Sequence, residues 1–365
     1  MNRLTAKNGY ITIKLGSDPE FFIFKGKKFM PYSKVFKENK HLMEEGAWNE
    51  RTDKLVKDGC SVEFQPLPRT CRQLIGDSIQ RMMRHIKEKL PEGHILSTKN
   101  FIKLTKKDLE TLDEESINFG CNPSNNVYIG KDLRIEEEPF VYPYRAAGGH
   151  LHLGYLEYGA TRAVNNLKDH TKELVKLLDL LVGNTMVLLD KSPENKKRRE
   201  TYGRAGEYRD TKYGIEYRTL SNFWLRSYAL MSLTYALARV AIRIVAHSNK
   251  IRLSHMKSLL SLVPEEDVIN AINNNDYKLA LQNFNKIKQW LIDYAPAQDF
   301  NSSIPNIEET VAVIEMLAKV KPEKYLPKGD FLEYWTNIYK GYIHSDGWDK
   351  YVEKVKTYNR VYLMN

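Results

Sequence analysis

Cysteine is scarce in this chain, and the little there is cannot form a framework. Cys60, Cys71 and Cys121 are odd in number and none forms a CxxC pair. A disulfide-stapled scaffold is therefore not expected, and a reducing cytoplasm is the natural compartment. An apolar leader is also missing: MNRLTAKNGYITIKLG has no hydrophobic stretch, so no signal peptide is expected. The longest apolar run, Tyr228 to Ala246, contains Arg239 and Arg243, which reads as a buried core helix rather than a membrane span. There is no low-complexity block and no internal repeat. Several catalytic signatures are absent as well: GxxxxGK[ST], a kinase-type GxGxxG with HRD, HExxH and GxSxG. If a nucleotide is used, it is not held by a phosphate loop at a helix start.

What remains is a chain of 365 residues, 42% hydrophobic and 28% charged, enough for one large domain or two ordinary ones. The formal net charge is +10, which favours anionic partners such as nucleotides, acidic peptides or nucleic acid. The excess is dispersed apart from Lys196–Arg199 and the lysines at 25, 27 and 28, and dispersal argues against a nucleic-acid groove. Strand patterns cluster before residue 221: Tyr10–Leu15, Glu20–Phe24, Cys60–Gln65, an extended stretch at 92–104, His150–Tyr155 and a hairpin within 200–221. Helical spacing marks 71–90 and one long helix at 161–189. Helices then follow at 222–249, 254–262, 264–274, 277–294, 306–320 and 329–342, with Pro296–Pro305 as a linker. Strands first and helices later make an α+β pattern rather than alternating βαβ units. Two regions are expected: 1–250, and a helical C-terminal region, 251–365, packed on it.

Four segments concentrate acidic, imidazole and guanidinium groups at strand-like spacing. GSDPEFF places Asp18 and Glu20 two apart, DGCSVEFQ sets Glu63 between Val62 and Phe64, and GGHLHLG turns His150 and His152 away from Leu151 and Leu153. The fourth, YGRAGEYR followed by YGIEYR, holds Arg204, Glu207, Arg209, Glu216 and Arg218 among glycines and tyrosines. Glu216 and Arg218 share a strand face, so a carboxylate can hold a metal ion while its neighbour guanidinium holds a phosphate. Each segment alone also reads as a solvated strand face or a cross-strand ion-pair ladder. Together, Glu20, Glu63, His150 and Glu216 make a set of oxygen and imidazole ligands suited to Mg2+ or Mn2+ rather than structural zinc. Arg204, Arg209 and Arg218 are bidentate donors for phosphate oxygens. The Lys196–Arg199 run reads as a solvated charge cluster, or as a lid over the phosphates.

GSDPEFF, DGCSVEFQ, GGHLHLG and RETYGRAGEYR with YGIEYRTLSNFW occur in the order that marks glutamine synthetase-like carboxylate–amine ligases. The chain most resembles the phage-type amidoligase branch, over roughly residues 10–245. The resemblance implies a curved antiparallel sheet of the glutamine synthetase and guanidino kinase type, with helices packed behind it. It implies ATP and Mg2+ as cofactors and the cytoplasm, a host's if phage-encoded, as location. Asp18, Glu20, Glu63, His150 and Glu216 match the family's metal positions, although glutamine synthetases carry glutamate where Asp18 stands. His152 matches a nucleotide-facing neighbour and Arg218 a phosphate binder. Arg204 and Arg209 match arginines that contact phosphates or the acyl phosphate.

The implied reaction activates a carboxylate as an acyl phosphate and then joins it to an amine. Glu63 or Glu207 is the candidate base. Small-molecule or peptide carboxylates and amines are the expected partners; no membrane or nucleic-acid partner is expected, and a homo-oligomer is compatible with the family. Two other readings stand beside this one. A phosphotransferase of guanidino kinase type on the same fold would hand phosphate to an acceptor instead of releasing it. A basic, non-catalytic nucleic-acid-binding protein would use the +10 charge and the 22 tyrosines.

Overall fold

One strand organises the molecule. The structure, a computed structural model, describes residues 3–6, 9–36, 54–70, 72–117, 124–130, 142–155, 162–294, 307–319 and 330–335. The strands among these residues are β1 (Arg3–Ala6), β2 (Gly9–Thr12), β3 (Lys14–Lys25), β4 (Lys28–Met30), β5 (Lys54–Asp58), β6 (Ser61–Gln65) and β7 (His94–Ser97). They continue with β8 (Phe101–Lys103), β9 (Asn125–Asn126), β10 (Tyr144–Ala146), β11 (Gly149–Gly154), β12 (Glu207–Thr211) and β13 (Gly214–Tyr217). The main sheet runs β5-β6-β3-β11-β13-β12-β9, with β4 and β7 also paired to β3, and every pairing is antiparallel.

The two strands expected at Tyr10–Leu15 and Glu20–Phe24 differ from this. Residues 14–25 form a single strand that runs through Pro19. Proline has no N–H to give to a ladder, and Pro19 lies opposite Gly149. The ladder is completed around it: Glu20 donates its N–H to Gly148 O at 3.1 Å, and Gly149 donates to Leu220 O at 3.4 Å. The His150 N–H goes to the Asp18 side chain at 3.2 Å.

Alternation then sorts the sheet into two faces. Leu15, Phe21, Ile23, Val62, Phe64, Leu151, Leu153, Ile215 and Tyr217 are buried in one large apolar cluster with the helices Arg72–Lys89, Thr171–Leu178 and Tyr228–Ala246. The other face carries Asp18, Glu20, His150, His152, Glu216 and Arg209. Phe22 and Phe24, further along that face, pack instead into a smaller cluster with Ile102, Leu104, Leu109 and Leu112.

Tyr228–Ala246 is long and apolar enough to cross a membrane by length and composition, but 83% of that stretch is buried inside the protein. The helix expected at 161–189 is interrupted twice. It is divided into Arg162–Asp169, Thr171–Leu178, a π-helical turn at Asp179–Gly183 and Asn184–Leu189. The π turn aims Asp179 into a polar knot, where its carboxylate accepts from Tyr217 at 2.6 Å and Tyr128 at 2.9 Å.

Beyond residue 248 the helices are Asn249–Leu260, Glu265–Asn273, Tyr277–Tyr294 and Ile307–Lys319, with a 3-10 turn at Phe331–Trp335. Ile272, Ala280, Phe284 and Ile287 join the same core as the sheet. The linker at 296–305 and the end of the helix expected at 329–342 lie outside the described residues.

Candidate active site

Strand register assembles the site from four separate stretches of chain. Pairing sets His150 opposite Asp18, Glu20 opposite Glu63, His152 opposite Glu216, and Glu216 opposite Arg209. His150 Nδ1 lies 3.0 Å from Asp18 Oδ2, 3.8 Å from Glu20 Oε1 and 3.6 Å from Glu216 Oε1. His152 Nε2 lies 3.3 Å from Asp18 Oδ2 and 3.9 Å from Glu216 Oε2. Asp18, Glu20, His150 and Glu216 are all buried. Close backbone approach requires the glycines of GGHLHLG: a Cβ on Gly149 would sit 2.8 Å from the Trp224 indole nitrogen. That indole N–H donates to Gly149 O at 2.9 Å and locks the start of β11.

These donors form two overlapping groups, Asp18 with Glu20 and His150, and Asp18 with His152 and Glu216. Within each group the ligand atoms all lie within 4.8 Å of one another. Two atoms argue that the set suits a cation. Glu216 Oε1 and His152 Nε2 are buried and have charged neighbours, Arg218 Nε at 3.0 Å and Asp18 Oδ2 at 3.3 Å, but no well-aligned hydrogen bond, a cost that a bound cation removes. Electrostatics agree. Burial opposes ionisation of Asp18, but the imidazoles of His150 and His152 outweigh it and hold the carboxyl well below its usual range. Burial likewise opposes charge on His152, and the carboxylates of Asp18, Glu216 and Glu63 outweigh it and raise its pKa.

The arginines take unequal places. Arg209 is partly exposed and donates Nε to Glu216 Oε2 at 2.8 Å, with Nη2 on the same oxygen. Arg218 is buried, its Nε 3.0 Å from Glu216 Oε1, its Nη1 donating to Ser124 and its Nη2 to Tyr202. Its guanidinium therefore orients Glu216. Arg204 turns away from the cluster and donates to the carbonyls of Arg199 and Glu200 at the end of the helix Glu194–Thr201. Glu63 is half-buried at the edge of the cluster and accepts from Gln65 at 3.0 Å.

Glu207 is buried and occupied by backbone. Its two oxygens accept the N–H groups of Gly203 and Arg204, each at 3.1 Å. Burial raises its pKa against the effect of those two amides. Half of the Lys196–Arg199 run is solvated, with Lys196 and Lys197 exposed, and the other half is not. Arg198 and Arg199 are buried, with Arg198 donating to Thr219 O and Leu220 O and Arg199 to Asn275. Arg198 and Ser124 are site neighbours that sequence reasoning missed, since a lone serine and a basic run carry no signal of burial.

An open antiparallel sheet carries buried carboxylates, imidazoles and guanidiniums on one face, in groups that could hold a metal ion. Residues 138–289 match the family described as phage phiEco32-like COOH.NH2 ligase-type 2, so the resemblance to the phage amidoligase branch is shown over that span. The match indicates an enzyme that joins a carboxyl group to an amine through a C–N bond. It contains His150, His152, Arg204, Arg209, Glu216 and Arg218; Asp18, Glu20 and Glu63 lie outside it and reach the same face by strand pairing. No curated protein matches the chain.

Proposed function

We propose that the protein is an ATP-dependent carboxylate–amine ligase that makes an amide or peptide bond through an acyl phosphate. The observation that carries this reading is Asp18, one carboxylate shared by two groups of cation-ligating side chains, beside a segment matched to a ligase family. In this reading the sheet is of the glutamine synthetase type, with 1–250 as the catalytic unit and 251–365 packed on it. Mg2+ or Mn2+ would be held by Asp18, Glu20 and His150 and by Asp18, His152 and Glu216, and would supply positive charge to phosphate oxygens.

The chain's own residues do the rest. Arg209, partly exposed beside Glu216, offers a guanidinium to phosphate oxygens, while Arg218 keeps the Glu216 carboxylate aimed. A substrate carboxylate oxygen bonds to the γ-phosphorus of ATP as the bond to the bridging oxygen breaks and ADP leaves. An amine nitrogen then bonds to the acyl carbon, inorganic phosphate departs, and the amine proton passes to a base. We assign that base to Glu63, because both oxygens of Glu207 are committed to backbone amides.

Thermal melting with ATP and Mg2+, run on wild type and Glu216→Gln, tests the reading. A ligand that binds only the folded state adds about 2.7 kcal/mol at a hundredfold excess over Kd. The expected outcome is a raised Tm in wild type alone, followed by release of inorganic phosphate when carboxylate and amine are both supplied. An unshifted wild type that is instead stabilised by DNA or RNA overturns it. Phosphate transferred to an acceptor and not released points to the guanidino kinase reaction.

A further inference from the structure

The two imidazoles of β11 are each held at both nitrogens, and in each case the partner away from the carboxylates is a tyrosine. His150 directs Nδ1 at Asp18 and Nε2 at the Tyr202 hydroxyl, 2.6 Å away. His152 directs Nε2 at Asp18 and Nδ1 at the Tyr213 hydroxyl, 2.8 Å away. The tyrosines come from either end of β12: Tyr202 from the loop that leads into it, and Tyr213 from the turn between β12 and β13.

Tyr202 is itself firmly placed. Its ring has the guanidiniums of Arg198 and Arg218 as neighbours, each with its central carbon 5.1 Å from the ring centroid. Arg218 Nη2 also donates to the hydroxyl at 2.9 Å. The chain can bend around Arg198 because residue 203 is glycine. Its φ is +76°, and a Cβ there would fall 2.1 Å from Arg198 Nη1.

We propose that Tyr202 and Tyr213 are positioning residues of the cation site, each orienting one imidazole so that the nitrogen facing Asp18 is presented to a divalent cation. The proposal rests on the cation-holding reading above. Its physical basis is the freedom of an imidazole about its terminal torsion, which is broad and roughly two-fold. An imidazole offers a metal one nitrogen, and the hydrogen bond at the other decides which nitrogen and at what angle. A phenylalanine would pack against these rings as well as a tyrosine does. Only the hydroxyl supplies the hydrogen bond. The Tyr202 oxygen, which accepts from Arg218, has a second lone pair that can accept from His150 Nε2–H and so leave Nδ1 its lone pair for a cation.

The test uses the full chain and Mn2+ alone, titrated by electron paramagnetic resonance, with Tyr202→Phe, Tyr213→Phe and, as control, the exposed Tyr277→Phe. Each of the first two is expected to weaken Mn2+ binding roughly tenfold, and the control to leave it unchanged. Ring-nitrogen NMR of 15N-histidine protein gives a second readout. The His150 signals are expected to move in Tyr202→Phe and the His152 signals in Tyr213→Phe. Wild-type affinity in both variants, or unmoved ring nitrogens, overturns the proposal. Should Tyr202→Phe lose its cooperative melting, the half-buried Tyr213→Phe carries the same decision. A wild type that binds no Mn2+ overturns the ligase reading along with this proposal, whereas binding retained in the variants overturns this proposal alone.

Discussion

At the scale of single residues, identical chemistry is put to opposite uses by what surrounds it. Glu216 and Glu207 are both buried acids near the β12–β13 hairpin. Glu216 sets one oxygen between the Arg218 guanidinium and the His150 imidazole, while Glu207 spends both of its oxygens on the amides of Gly203 and Arg204. Glu207→Gln replaces one acceptor with an N–H that faces another N–H. It is expected to lower unfolding stability by about 1–3 kcal/mol in urea. It should leave the pH dependence of phosphate release in place; a displaced basic limb would instead identify Glu207 as the proton acceptor. The HxH spacing and the glutamate–x–arginine pair were legible as same-face groups because strand alternation is local. The division of labour between Arg209 and Arg218 was not, because it depends on Ser124 and Tyr202, which lie far from them in the chain or on the preceding loop.

Elements add constraints of their own. The π turn at Asp179–Gly183 sets Asp179 beneath β13, where Tyr217, Tyr128 and Thr219 donate to it. Burial raises its pKa to about 7, and those hydrogen bonds only partly offset the effect. The folded state therefore binds this proton more tightly than the unfolded chain does. The associated stability is fully present below about pH 4 and is lost as pH rises through 7. Asp179→Asn is expected to flatten the dependence of urea-unfolding stability on pH between about 4 and 7, a change on the order of a few kcal/mol. An unchanged slope would assign the titration to other groups. Asp18 acts in the opposite sense: its lowered pKa contributes stability that is lost as pH falls. The periodicity of 161–189 announced a helix, but a one-residue π insertion leaves hydrophobic spacing almost intact and is invisible to it.

Across the whole molecule, the C-terminal helices do more than cover apolar surface. Asn273, the last residue of Glu265–Asn273, accepts the Ala205 N–H at 2.8 Å, and Asn275 accepts from Arg199. Both contacts fall on the segment that carries Tyr202 and Glu207 toward the sheet. Asn273→Ala is expected to reduce stability by about 1–3 kcal/mol and to weaken Mn2+ binding. If stability falls while affinity stays at its wild-type value, these helices support the fold without tuning the site.

By itself the sequence determined the succession of strands before helices, the buried character of Tyr228–Ala246, the faces of β6, β11 and β13, and the acidic and imidazole groups available at 18, 20, 150 and 216. These follow from residue chemistry and from periods of two and 3.6, which neighbouring residues express without help. Only the tertiary structure decided that β3 continues through Pro19, that Asp18 is shared by two ligand groups, and that Arg204 and Glu207 serve the backbone. The first two depend on strand register and on partners more than a hundred residues away, such as Asp18 with His150, whereas Arg204 and Glu207 turn to backbone groups in the bend just before β12. Local pattern carries no record of which distant strand will supply the missing hydrogen bond.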